Sequence, residues 1–175
     1  NYFEMGLSDD IKKTVLEVAE EFKRLGAAVE EIKIQTVDYA LYAYYIIACA
    51  EASSNLARYD GIRYGYRSEK AEKLMEVYYK TRSEGFGEEA KRRILFGSFV
   101  LSSDTYDRYY KKALKVRTLI KREFDRIFSD CHIILSPVSP ATAPKTGEQT
   151  SDPLAKCFTD IYTVPVNLLG LPAVT

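Results

Sequence analysis

Apolar residues recur at steps of three or four in Ile11, Val15, Val18, Phe22 and Leu25, which is the pattern of one helix face. Ser8, followed by Asp9 and Asp10, supplies the start of that helix, and Gly26 supplies its stop. Residues 27–34, AAVEEIKI, then read as a strand. Helix, glycine and short strand in that order make half of an α/β unit. After Thr36 a long helix is predicted through the tyrosine-rich run to about Tyr59, where YDGIRYG carries the Asp-Gly step and second glycine of a loop. Ser68 opens another helix, with Ala71, Leu74 and Tyr78 on one face, that ends near Gly85. Residues 88–101 form the next. From Asp104 a further helix turns Tyr109, Ala113, Val116, Ile120, Phe124 and Ile127 inward, and its lysines and arginines lie on the outer face among acids.

The pattern changes again at CHIIL, residues 131–135, which has no polar alternation after His132. Such a run suits a strand covered on both sides in a mostly parallel sheet. Pro137, Pro140, Pro144 and Gly147 make residues 136–151 a long loop, the kind that in compact domains is usually functional or mobile. Asp152 followed by Pro153 resets a helix, with the acid as N-cap and the proline in its first turn. The predicted class is α/β and helix-rich, with a mixed sheet covered by helices. The chain opens without an initiating methionine and closes on GLPAVT in what reads as a beginning strand, so both ends are expected to be cuts in something longer.

Composition narrows this picture. At 175 residues, 46% of them apolar, the chain can bury a core of ordinary domain size. Its 25 basic and 25 acidic residues cancel, so no overall field steers it to nucleic acid or anionic lipid. Cys49, Cys131 and Cys157 are widely spaced and share the chain with a single histidine. They form neither a zinc pattern nor a disulfide framework and point to a reducing, cytoplasmic setting. The longest apolar run, YALYAYYIIACA, is too short to span a bilayer, so no membrane partner is expected.

Most catalytic constellations find no support. His132 heads an apolar run without a serine or cysteine motif beside it, which argues against a Ser-His-Asp hydrolase. SEGFGEEAKRR lacks the lysine-serine pair of a phosphate loop. Ser53 and Ser54 have no base announced nearby and read as small residues at a helix contact. The tyrosine-rich helix reads as core, but a buried tyrosine needs a partner for its hydroxyl, so one that lines a polar pocket would be natural; Tyr44, in mid-helix, is the candidate.

Lys91, Arg92 and Arg93 separate on a helical wheel. At about 100° per residue, Ala90, Ile94, Gly97, Val100 and Leu101 fall on one side and Arg93 lies within their arc, with Lys91 and Arg92 pointing elsewhere. An inward guanidinium requires a partner, and its planar fork matches a carboxylate. Two readings stay open, an internal ion pair with an acidic residue or a receptor for a ligand carboxylate.

Four runs carry a family resemblance over essentially the whole chain: EASSNLARYDGIRYG, RSEGFGEEAKRRILFGSFVLSS, YKKALKVRTLIKREFD and SDPLAKCFTDIYTVPVNLLGLPAVT. They resemble the C-terminal half of the glutaminase subunits, the A subunits, of glutamyl-tRNA(Gln) amidotransferases, a branch of the amidase-signature family. The resemblance implies that residues 1–175 are the C-terminal part of a single amidase-signature domain whose N-terminal half is missing. It implies glutamine as substrate and the amidotransferase B and C subunits as partners, with tRNA engaged mainly through the complex. It implies no cofactor on this chain, with ATP and Mg²⁺ used by the B subunit. The family's nucleophilic serine, its cis-bonded serine and its lysine belong to a signature upstream of the matched region. No catalytic residue is carried over, and the chain alone is expected to be inactive.

Substrate-binding residues do carry over. The arginine closing the family's KRR tract, which holds the α-carboxylate of glutamine, corresponds to Arg93. The acid before IYTVP, which takes the α-ammonium, corresponds to Asp160, and a pocket tyrosine in the aromatic helix corresponds to Tyr44. His132, Cys157 and SSDTYD depart from the family pattern without touching these three. A contrasting expectation is a standalone helical module that binds RNA or protein through the basic stretch 104–130. Self-association of a chain with open sheet edges is a further expectation.

Overall fold

The structure, a computed structural model, describes residues 6–147 and 157–175. Its helices, in chain order, are α1 (Asp9–Arg24), a 3-10 turn (Val37–Tyr39), α2 (Ala40–Leu56), α3 (Leu74–Gly85), α4 (Glu88–Val100), α5 (Ser103–Tyr106), α6 (Tyr110–Asp130) and α7 (Val164–Leu169). Two compact units share them. The first combines residues 1–44 with 115–175; the second is the intervening stretch 45–114.

In the first unit, α1 starts and stops where the sequence places it. Asp9 and Asp10 in its first turn and Lys23 and Arg24 in its last complement the helix dipole. Gly26 takes φ +95°, and the Ala27 N–H then reaches back to the Phe22 carbonyl at 3.0 Å, the left-handed closure that glycine allows at low cost. Ile11 and Val15 are half-buried, but Val18, Phe22 and Leu25 are exposed, so the stripe predicted for α1 is only partly covered. The first unit buries Ile34, Val37, Leu41, Ile120, Phe124, Ile161, Tyr162, Val164 and Leu168.

The predicted strands do not form. Among the described residues there is no strand: 27–34, 131–135 and 171–175 contain no ladder. A strand exists only through the N–H and C=O groups of a neighbour, and these segments find none among the described residues. The mixed sheet is therefore absent from them, and the architecture described is helical. The helix start predicted at Asp152 and Pro153 lies outside the described residues.

Segment 27–36 is instead tied down by a side chain. Glu123, on α6, accepts from the Gln35 N–H at 2.9 Å, the Thr36 N–H at 3.0 Å and the Thr36 hydroxyl at 2.5 Å, immediately ahead of the 3-10 turn that leads into α2. Burial pushes this carboxyl up. The Thr36 hydroxyl and the two backbone N–H groups outweigh it and hold Glu123 below the ordinary range.

In the second unit the helix predicted from Ser68 begins six residues later, at Leu74. Ser68 is buried and gives its N–H to the Thr81 hydroxyl at 3.1 Å, so it anchors the preceding loop. That loop has the expected Asp-Gly chemistry. Asp60 Oδ1 accepts from the Ile62 N–H at 2.8 Å, and Gly61 takes φ +76°. Arg82 Nη1 donates to the carbonyls of Leu56 at 3.0 Å and Tyr59 at 3.1 Å, adding a donor at the last residue of α2 and one in the loop that follows it. Its guanidinium also lies 5.0 Å from the Phe86 ring centre, and Phe86 meets Tyr59 edge-on. The helix predicted from Asp104 is broken: α5 ends at Tyr106 and α6 begins at Tyr110.

Candidate functional site

Arg93 lies on α4, in the second unit. Its Nε donates to Glu89 Oε1 at 2.8 Å, one helical turn back. The same carboxylate takes a two-pronged contact from Arg92, Nε to Oε2 at 2.9 Å and Nη2 to Oε1 at 2.8 Å. The hydrogen bonds from Arg92 and Arg93 hold Glu89 down to about 2, and Glu89 in turn raises Arg93 further above its already high range. Spacings of three and four residues are those at which helix side chains meet. Glu89 is thus a site residue missed by the sequence reading, although the EEAKRR run displays the spacing.

The ion-pair reading of Arg93 is realised within its own helix. Exposure does not single this arginine out as the wheel predicts: the side chains of Lys91, Arg92 and Arg93 are 35%, 54% and 37% exposed. Leu95, Phe96 and Phe99 are exposed on the same helix, so its inward arc is poorly defined by hydrophobicity. Glu89 engages Arg93 only through Nε. Among the described residues, the Nη1 and Nη2 edge of Arg93 makes no hydrogen bond, and that is the edge which can receive a second carboxylate as a fork.

Within the same unit, α4 packs against α2. The two helices cross closely. A Cβ added to Gly97 would stand 2.0 Å from the Cys49 carbonyl oxygen and 2.6 Å from Ser53 Cβ. Beside that point the Ser53 and Ser98 hydroxyls are 2.9 Å apart, so Ser53 does sit at a helix contact.

Tyr44 and Asp160 belong to the first unit. Tyr44 is half-buried on α2. Asp160 is exposed, and its backbone carbonyl accepts from the Thr163 N–H at 3.0 Å and the Val164 N–H at 2.9 Å, so the residue leads directly into α7. Sequence neighbours of both, Leu41 and Tyr42 on one side and Phe158 and Ile161 on the other, line an open cleft of about 510 Å³ together with Asp38. His132 is exposed and heads no strand.

Other chemistries find little here. No cluster of three or more potential metal ligands occurs among the described residues. No helix there is long and apolar enough to cross a membrane. On α6, Lys111 pairs with Asp107 at 2.6 Å and Lys121 with Asp125 at 2.7 Å, so part of its positive charge is neutralised locally.

Three relatives place this geometry in context. The chain is 59% identical to the glutamyl-tRNA(Gln) amidotransferase A subunit of Lachnoclostridium phytofermentans, over 99% of its own length and 35% of that protein. It is 56% identical to the protein of the same name from Caldanaerobacter subterraneus, over 99% of its length and 36% of the relative. For the one from Agathobacter rectalis the identity is 54%, over 100% and 35%. The chain therefore spans about a third of the length of the curated relatives it matches. The family model for Amidase matches residues 1–175, and the chain belongs to the amidase family.

Proposed function

We propose that this chain is the glutamine-binding part of the A subunit of a glutamyl-tRNA(Gln) amidotransferase. In the assembled enzyme the A subunit hydrolyses the side-chain amide of glutamine: water replaces nitrogen at the carbonyl carbon, glutamate forms and ammonia leaves. The ammonia passes to the B subunit, which uses ATP and Mg²⁺ to convert Glu-tRNA(Gln) to Gln-tRNA(Gln), and the complex is completed by the C subunit. The nucleophilic serine, its cis-serine and its lysine come from sequence upstream of this chain, so residues 1–175 hydrolyse nothing alone. The setting is cytoplasmic.

The residues supply recognition. Arg93 takes the α-carboxylate through its Nη1 and Nη2 edge, Asp160 takes the α-ammonium, and Tyr44 lines the pocket. An arginine and an acid together bind an amino acid by its two charged ends and leave its side-chain amide to reach the nucleophile. The observation that supports this reading is the geometry at Arg93, whose Nε is engaged by Glu89 and whose Nη edge makes no hydrogen bond among the described residues. Glu89 holds the guanidinium in orientation before substrate arrives.

The test is glutamine hydrolysis by the longer protein. Loss of a partly buried charged partner costs about 2–3 kcal/mol, which corresponds to a rise of roughly 30- to 150-fold in KM for Arg93→Ala. The exposed Asp160 should cost less on Asp160→Ala, roughly tenfold. Unchanged KM in both variants would sink the assignment.

A further inference from the structure

The geometry points to Gly97 as a positioning residue for Arg93. Gly97 lies one turn after Arg93, on the same side of α4, and meets α2 within the second unit. It is buried, and its missing side chain is what lets α4 approach so closely. An added Cβ would meet the Cys49 carbonyl oxygen at 2.0 Å and the Cys49 carbonyl carbon at 2.7 Å. These are backbone atoms of α2 and cannot rotate away. To reach even 3.0 Å, α4 must withdraw from α2 by roughly 1 Å. Arg93 sits 5–6 Å along the same rod, by the geometry of one helical turn, and must withdraw with it. Backbone freedom is not the reason for this glycine, because its φ is not positive.

Arg93 takes its place from this contact in two respects. Glu89 fixes the guanidinium relative to α4 alone, since both residues are on that helix. Its depth relative to α2 is set by the helix crossing at Gly97, four residues along the same helix. Widening the crossing therefore moves the carboxylate receptor without altering its ion pair. The proposal rests on the reading of Arg93 as the receptor for the glutamine α-carboxylate.

The experiment compares L-glutamine with L-glutamine α-amide, which lacks the carboxylate, as substrates of the longer protein. Gly97→Ala should reduce kcat/KM for glutamine by about 10- to 100-fold, the cost of a displacement near 1 Å, and leave hydrolysis of the α-amide within about twofold. Gly87→Ala is the control: it lies at the other end of α4 with nothing within 4 Å of the added Cβ, and it should alter neither substrate. Should Gly97→Ala fail to fold, Ser53→Val widens the same crossing from the α2 side, and a smaller loss with the same selectivity is expected. Equal loss for both substrates, or no loss, overturns the positioning role. If Arg93→Ala itself does not distinguish the two substrates, the receptor reading has failed and this proposal fails with it.

Discussion

Glu123→Ala removes the acceptor of three donors at the start of α2, the Gln35 and Thr36 N–H groups and the Thr36 hydroxyl. A hydrogen bond to a charged group contributes about 1.5–3 kcal/mol when well buried. These three share one carboxylate and are only partly buried, so they are discounted together to a total of about 2–4 kcal/mol. Glu123→Gln keeps one carbonyl acceptor and should cost about half as much. Urea unfolding at pH 7 reads the stability loss, and amide exchange at Gln35 and Thr36 reads the site directly. The pH dependence has a defined sign. The folded carboxyl lies below its unfolded value, so its contribution is complete above the ordinary glutamate range, near about 4.3, and disappears as pH falls through the lower folded value. The gap between wild type and Glu123→Gln should therefore narrow below about pH 4. A stability change under about 0.5 kcal/mol at pH 7, with unchanged exchange at both amides, would refute the clamp.

Two further predictions concern side chains that hold two partners. The carboxyl of Glu89 should titrate near 2 by NMR, so its contribution is complete above the ordinary glutamate range and vanishes as pH falls toward 2; a midpoint near 4 would show that Arg92 and Arg93 do not share it. Arg82→Lys should destabilise the chain by about 1–2 kcal/mol, because an ammonium on a flexible stem cannot keep the two hydrogen bonds made by Nη1 together with the guanidinium contact on Phe86. Unfolding midpoints within error of wild type would exclude that role.

Much of the helical layout was legible because it is written locally. The start and stop of α1 lie in Ser8, the two aspartates and Gly26, all within the segment itself. The strands failed for the opposite reason. An apolar run such as CHIIL reads as a covered strand, but cover and pairing both come from partners at a distance that no local pattern encodes, and here Ile133 and Leu135 are exposed. Glu123 and Arg82 carried no signal either, because each serves acceptors or donors 23 to 88 positions away. At α4 the wheel drew attention to Arg93 but separated it from Lys91 on exposure, which the structure does not do. Gly97 stood in the inward arc, yet its function depends on the Cys49 carbonyl of another helix. The four-residue spacing of Glu89 and Arg93 is one at which helix side chains meet, yet the sequence reading passed over it, and only the folded geometry shows which nitrogens that contact occupies.

The second unit lies in sequence between the two halves of the first, and this bears on the order of folding. Two of its ties close small loops, Ser68 to Thr81 across 13 positions and Arg82 to Leu56 across 26, and the Ser53–Ser98 pair spans 45. Glu123 must find Thr36 across 87. By the logarithmic growth of closure entropy, the longest of these loops costs roughly 1.7 kcal/mol more than the shortest. Contacts that close small loops are favoured early. The loop and helices around Arg82 should therefore be structured while the carboxylate of Glu123 is still searching, and Thr36 becomes the last latch to shut.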